Sequence, residues 1–152
     1  MKVLKIKENV QICGRWRLTA RHVKTGEVIV LEGENLIVNV GKYLVGRMLI
    51  DEAGYDTGFV NQQIGTNNTA PAVGDTTLTA WAATKAITSK TRLLNVITMS
   101  TFFTAGESTF NIKEAGIFGH TAGAIMFSHW LVSFDNSLGV YDITLDYVLT
   151  IS

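Results

Sequence analysis

The chain has 152 residues, 47% of them hydrophobic and only 17% charged, with a formal net charge of zero. That length suits one domain able to bury a core without disulfide or metal support. The charged fraction sits below the usual figure of about 25%, so the surface is either rich in Thr, Ser, Asn and Gly or partly covered by other subunits. No cluster of Lys and Arg interleaves with aromatics to track a phosphate backbone, which argues against nucleic acid as a partner. The single cysteine, Cys13, excludes an intrachain disulfide and reads as a core or half-buried strand residue. The amino terminus lacks the apolar core of a signal peptide, and no apolar run approaches the roughly 18 residues of a membrane span, so a soluble protein with no membrane partner is expected.

In chain order, Val3 to Lys7 alternates as Val-Leu-Lys-Ile-Lys, which suits a short edge strand or an extended arm in which Lys5 and Lys7 discourage uncontrolled pairing. Ile12 to Val23 places Ile12, Trp16, Leu18 and Ala20 on one face and arginines and Thr19 on the other, a half-buried strand. Lys24 to Glu27 forms a hairpin turn with Gly26 at the positive-φ position, returning through Val28 to Leu31. The period then changes. Leu36, Val40, Leu44, Val45, Met48 and Leu49 recur at helical spacing, predicting one amphipathic helix over about 39–50 with Asn39 as its cap. A polar loop, Asp51 to Thr57, leads to a strand from Phe59 to Ile64.

The stretch Ile64 to Leu78 is rich in Gly, Asn and Thr and holds the only proline, Pro71. It reads as an ordered loop, with Asn67 and Asn68 tolerating left-handed geometry and Pro71 forcing Ala70 extended. Asp75 stands where it would cap one short helical turn through Trp81. Long loops inside compact domains are usually functional or disordered, and flanking apolar residues favour order here. Ala82 to Ser89 fits loop or helix. Beyond it Arg92 to Phe103 reads as one long strand, Ala105 to Glu107 as a turn and Thr109 to Lys113 as its return. Lys113 to Gly116 reads as a glycine turn carrying Glu114, which could accept hydrogen bonds from backbone amides of the central loop. Thr121 to Gly123 is another turn before a strand from Ala124 to Phe134, Asp135 to Gly139 closes a final hairpin, and the last strand alternates cleanly from Tyr141 to Ile151. Six to eight strands and one helix predict a mainly β, antiparallel β-sandwich or Greek-key (jelly-roll-like) domain over residues 9–152, preceded by the arm at 1–8.

Catalytic signals are sparse. His22, His120 and His129 are widely separated and lack metal-ligand spacing with one another or with Cys13, so no metal or other cofactor is expected. No Gly-x-Ser-x-Gly, P-loop or Gly-x-Gly-x-x-Gly occurs. Asp142 and Asp146 share a strand face, with Asp135 across the hairpin, but alternation turns them to solvent. The aromatics fall mostly at positions that should face the core, leaving Trp81 as a surface anchor.

Asn35-Leu-Ile-Val-Asn39 followed by Gly41 and a helix, Ile64-Gly-Thr66 with Pro71 and Asp75-Thr-x-Leu78, Glu114-Ala-Gly-Ile-Phe118 and a last alternating strand together resemble small accessory virion proteins of tailed bacteriophages. The resemblance spans about Gly14 to the end, with Gly65-Thr66-Asn67 where the family often has Gly-Thr-Gly. It implies a structural, non-enzymatic role in the virion for a chain made in the bacterial host cytoplasm. Capsid decoration (cement) is the first expectation, with the major capsid protein and copies of itself, as a homotrimer, as partners. A tail or fibre component binding a host receptor or glycan is the second. Expected interface elements are the Met1 to Glu8 arm with Lys5 and Lys7, the central loop with Asn67, Asn68 and Pro71, the loop Asp51 to Gly58, and Trp81.

Overall fold

The computed structural model describes residues 9–120 and 125–152. The arm expected at Met1 to Glu8, including Lys5 and Lys7, and the turn expected at Thr121 to Gly123 lie outside the described residues. The early elements are β1 (Ile12–His22), β2 (Val28–Glu34), β3 (Leu36–Ile37), α1 (Asn39–Leu49) and β4 (Phe59–Gly65). They are followed by β5 (Trp81–Ala86), β6 (Ser89–Leu93), β7 (Val96–Phe103), β8 (Asn111–Gly119), β9 (Ile125–Asp135) and β10 (Tyr141–Ile151). Two antiparallel five-stranded sheets result, ordered β2-β1-β10-β7-β6 and β3-β9-β8-β4-β5, and one core between them makes a β-sandwich.

Alternation builds the first sheet. Trp16, Leu18 and Ala20 of β1 and Ile143, Leu145, Tyr147 and Leu149 of β10 are buried, and the two strands pair from Ile12–Ile151 to His22–Tyr141. The turn after β1 is as expected, with Gly26 at φ 73. Cys13, expected in the core or half-buried, is exposed because it shares the outer face with Arg15 and Arg17, and Phe102 faces outward for the same reason of parity. Trp16 stacks on Trp130 of the opposite sheet at 6.0 Å. Polar groups also join the sheets: Asn35 Nδ2 donates to Ser128 Oγ at 3.0 Å and to the Tyr147 hydroxyl at 2.8 Å. Burial pushes the Tyr147 phenol pKa up, so the hydroxyl stays protonated.

Several expected boundaries move. The run Arg92 to Phe103 is two strands, because the chain reverses at Leu94 and Asn95, with Leu94 at φ 53. Ala82 to Ser89 is extended, since β5 finds a partner in β4 and Ser89 opens β6. Ala105–Ser108 is a short 3-10 turn rather than a hairpin, and the segment after it crosses to the other sheet. Asp135 to Gly139 likewise crosses between sheets: buried Asn136 donates to Ser108 Oγ and the Tyr141 carbonyl and accepts the Val140 and Tyr141 amides, holding the corner. Lys113 to Gly116 is no turn, for Glu114 and Gly116 both lie inside β8.

The helix forms where its periodicity predicts, but Asn39 does not cap it. Val38 is the N-cap and makes no side-chain bond; the Asn39 amide instead donates to the Val73 carbonyl of the central loop at 2.8 Å. An orphan helix amide is thereby satisfied from outside the helix. At Gly41 a Cβ would come within 2.5 Å of the Phe127 carbonyl oxygen, so only glycine lets α1 lie this close to β9. Val38, Leu78, Phe118 and Met126 form a second apolar cluster, and the helix and the loop together cover part of the outer face of the second sheet, leaving Leu131 39% exposed.

Candidate functional site: a buried carboxylate–histidine chain under an ordered loop

The register of the second sheet sets Glu114 opposite Gly65 on one side and Leu131 on the other, and Gly116 opposite His129. Shifts in the β8–β9 register, between Ile112 and Glu114 and between Ile117 and Phe118, leave Glu114 and His129 neighbours on the outer face. There the central loop closes over them. Glu114 Oε2 lies 3.1 Å from His129 Nε2, and His129 Nδ1 lies 2.8 Å from Asp75 Oδ2. The Glu114 and His129 side chains are each 1% exposed and that of Asp75 27%.

Backbone amides complete the chain. Glu114 accepts the Ala80 amide at 2.7 Å and the Thr79 amide at 3.1 Å, and Asp75 accepts the Ala72 amide at 2.8 Å. These bonds satisfy carboxylates that would otherwise be costly to bury. Gly65 makes the approach possible, since a Cβ there would meet the Ala80 carbonyl at 2.5 Å and Glu114 Oε1 at 2.6 Å. Gly116 leaves room for Leu78, whose side chain is 2% exposed. With the Thr66 amide on the Ala80 carbonyl and the Thr69 amide on Asn67 Oδ1, the loop is fastened at its ends and in its middle.

The predicted loop-to-Glu114 amide bonds are therefore present, although the residue sits in a strand. Asp75 does not open a helical turn; its side chain turns inward to His129 and its own loop. His129 is the member that sequence reasoning missed. Its signal was a histidine inside an apolar strand run, but the partner fifteen positions away in no fixed pattern appears only once the strand pairing is known. Of the expected interface residues, Asn68 and Trp81 are exposed, Asn67 and Pro71 are half-buried, and Trp81 begins the edge strand β5. The other expected carboxylates do not converge: Asp142 accepts the Ala105 amide, Asp146 accepts the Ser100 hydroxyl and Asp135 accepts the Ser137 amide.

The segment after α1 has its own clasp. Tyr55 stacks on His120 at 4.2 Å, the Arg47 guanidinium carbon lies 4.5 Å from the Tyr55 ring centre, and Arg47 Nε is 3.7 Å from Glu52. Among the described residues no group of three His, Cys, Asp or Glu is arranged to hold a metal ion. Chemically the buried chain can fix the loop to the sheet. Comparison with known proteins finds no matching family model, no matching curated protein and no matching solved structure.

Proposed function

We propose that this chain is a non-catalytic binding module of a tailed-bacteriophage virion, acting as a capsid decoration protein that joins neighbouring major capsid subunits on the expanded head. The observation that carries the binding-module reading is the use of Glu114, His129 and Asp75 to immobilise a long surface loop. Preordering a recognition segment removes part of the entropy cost of association. The virion assignment rests on the order of sequence motifs, from Asn35-Leu-Ile-Val-Asn39 through Glu114-Ala-Gly-Ile-Phe118, that resemble accessory phage proteins. Stabilisation follows from mass action: a protein that binds only the expanded shell favours that shell.

The test is immunogold labelling of particles from the source lysate with antibody raised against the purified chain. Regular label over the head supports decoration; none on intact particles overturns the virion reading. Trp81, 59% exposed at the start of an edge strand, favours a second reading, a tail or fibre component that binds a host glycan. Label confined to the tail, with polysaccharide binding lost in Trp81→Ala, would select it.

A further inference from the structure

His129 is a buried imidazole with a carboxylate oxygen at each nitrogen, Asp75 Oδ2 at 2.8 Å from Nδ1 and Glu114 Oε2 at 3.1 Å from Nε2. A neutral imidazole has one N–H donor and one bare lone pair. It satisfies one of these oxygens and opposes the other with that lone pair. Making both hydrogen bonds takes one proton more than a neutral ring and two carboxylates hold. The surrounding amides say where that proton sits. Thr79 and Ala80 donate to Glu114 and Ala72 donates to Asp75, so both acids already serve as acceptors, and the imidazole is the group left to donate twice.

Among the described residues the neighbouring elements bring no further charge to the ring. β4 has no ionisable residue, and Asp75 is the only one from Thr66 to Ala80. In β8, Lys113 gives its ammonium to Ser133 Oγ, and Asp135 at the far end of β9 accepts the Ser137 amide. On α1, Arg47 turns to Tyr55 and Glu52, while Lys42 lines a separate cavity with Arg15 and Glu34. We propose that the loop is latched by a proton: His129 is held as an imidazolium between Glu114 and Asp75, and loss of that proton releases the segment from Ala72 to Asp75.

The two ends of the bridge differ in what they can do when the proton leaves. Glu114 is fully buried and fixed by two loop amides, whereas Asp75 is partly exposed and holds one. A carboxylate facing a lone pair is repelled, and Asp75 is the one that can turn to water. The remaining N–H then stays on Nε2, toward Glu114. Asp75 takes with it the Ala72 amide bond and loosens the turn in which its own amide donates to the Ala72 carbonyl at 3.0 Å. Next to go is the bond from the Asn39 amide to the Val73 carbonyl, while Thr79 and Ala80 remain on Glu114. Because closing takes up a proton, the closed segment is favoured at lower pH and lost as pH rises. Val73, exposed in the middle of this segment, makes the surface offered by the loop depend on pH. That regulatory role rests on the loop being the recognition segment of the proposed function; the proton count does not.

Nitrogen-15 NMR of the imidazole in the isolated chain observes the proton itself. At about pH 6 both ring nitrogens of His129 should carry a proton, and toward about pH 8.5 Nδ1 should lose its own while Nε2 keeps one. Amide protection, corrected for the intrinsic pH dependence of exchange, is followed over the same range. Ala72, Asp75 and Asn39 should lose protection at least about tenfold, with Thr79 and Ala80 unchanged. In His129→Gln, whose side chain does not titrate, protection of Ala72 and Asp75 should be level across the range. A bare ring nitrogen at about pH 6, level protection of Ala72 and Asp75 in the wild type, or a pH-dependent loss that persists in His129→Gln would each overturn the inference. The first two need no variant, so they decide the matter even where His129→Gln does not fold. Absence of label on virions, by contrast, removes the virion reading and leaves these results standing.

Discussion

The two sheets are alike in strand number and pairing yet differ in their outer faces. The first meets solvent there, so β1 and β10 alternate and their polar residues pair across the surface, as Arg17 does with Glu32 at 3.6 Å with both side chains about half exposed. The second is covered by α1 and the central loop, and β8 and β9 run through long stretches buried on both faces. A carboxylate in the first sheet can rely on water, while Glu114 in the second must be satisfied by protein. The same residue type thus has opposite energetic consequences on the two sheets.

Glu114→Ala should sharpen that contrast most. It strips the Thr79 and Ala80 amides of their acceptor and His129 of its carboxyl neighbour and should destabilise by about 3–5 kcal/mol in denaturant unfolding, against less than about 1 kcal/mol for Glu32→Ala on the open sheet. Equal losses would break the comparison. Next in size is Gly41→Ala, which pushes α1 off β9 at Phe127 and should cost about 1–3 kcal/mol. The paired control is Gly46→Ala, where a Cβ would meet nothing within 4 Å; it should stabilise by about 0.5–1 kcal/mol through helix propensity.

A smaller effect should appear at acid pH, where the sheets are clasped at their margin. Glu107 caps the 3-10 turn through Thr104 and accepts a hydrogen bond from Lys85 of β5 at 2.7 Å. The Lys85 hydrogen bond, followed by those from Thr104, holds its pKa at about 2 against an ordinary 4.5. Because the folded value is the lower one, this contribution is complete above pH 4.5 and is lost as pH falls toward 2. Stability of the wild type should therefore fall more steeply across that window than stability of Glu107→Gln, and parallel profiles would contradict the clasp. Smallest of all, Trp81→Ala should leave the unfolding midpoint almost unchanged, within about 0.5 kcal/mol, since its side chain lies on the surface rather than in either cluster.

The same contrast explains what could be read from the sequence. On the open sheet, alternation in β1 and β10 and the Gly26 turn specify strands, faces and the first hairpin directly. The helix is equally legible, because its apolar residues recur at one spacing. On the covered sheet both faces are apolar or hydrogen-bonded, so β8 and β9 lose the alternation that marks a strand. Gly116 then suggests a turn although it serves as a place for Leu78 to pack. The hairpin at Leu94 was hidden for a different reason: its left-handed residue is a leucine, where a glycine would have announced the turn. Glu114 was identified as the acceptor for the loop from its place beside Gly116 in the Lys113 to Gly116 stretch. His129 became its partner only through strand register.

The claim that the loop is a fixed platform is tested most directly by amide hydrogen exchange at Thr79 and Ala80. If Glu114 holds them, both amides should exchange only through opening events nearly as costly as global unfolding, and Glu114→Ala, which removes both acceptor oxygens, should release them while leaving amides in β1 and β10 protected. Rapid exchange of Thr79 and Ala80 in the wild type, at rates typical of an exposed loop, would contradict the account.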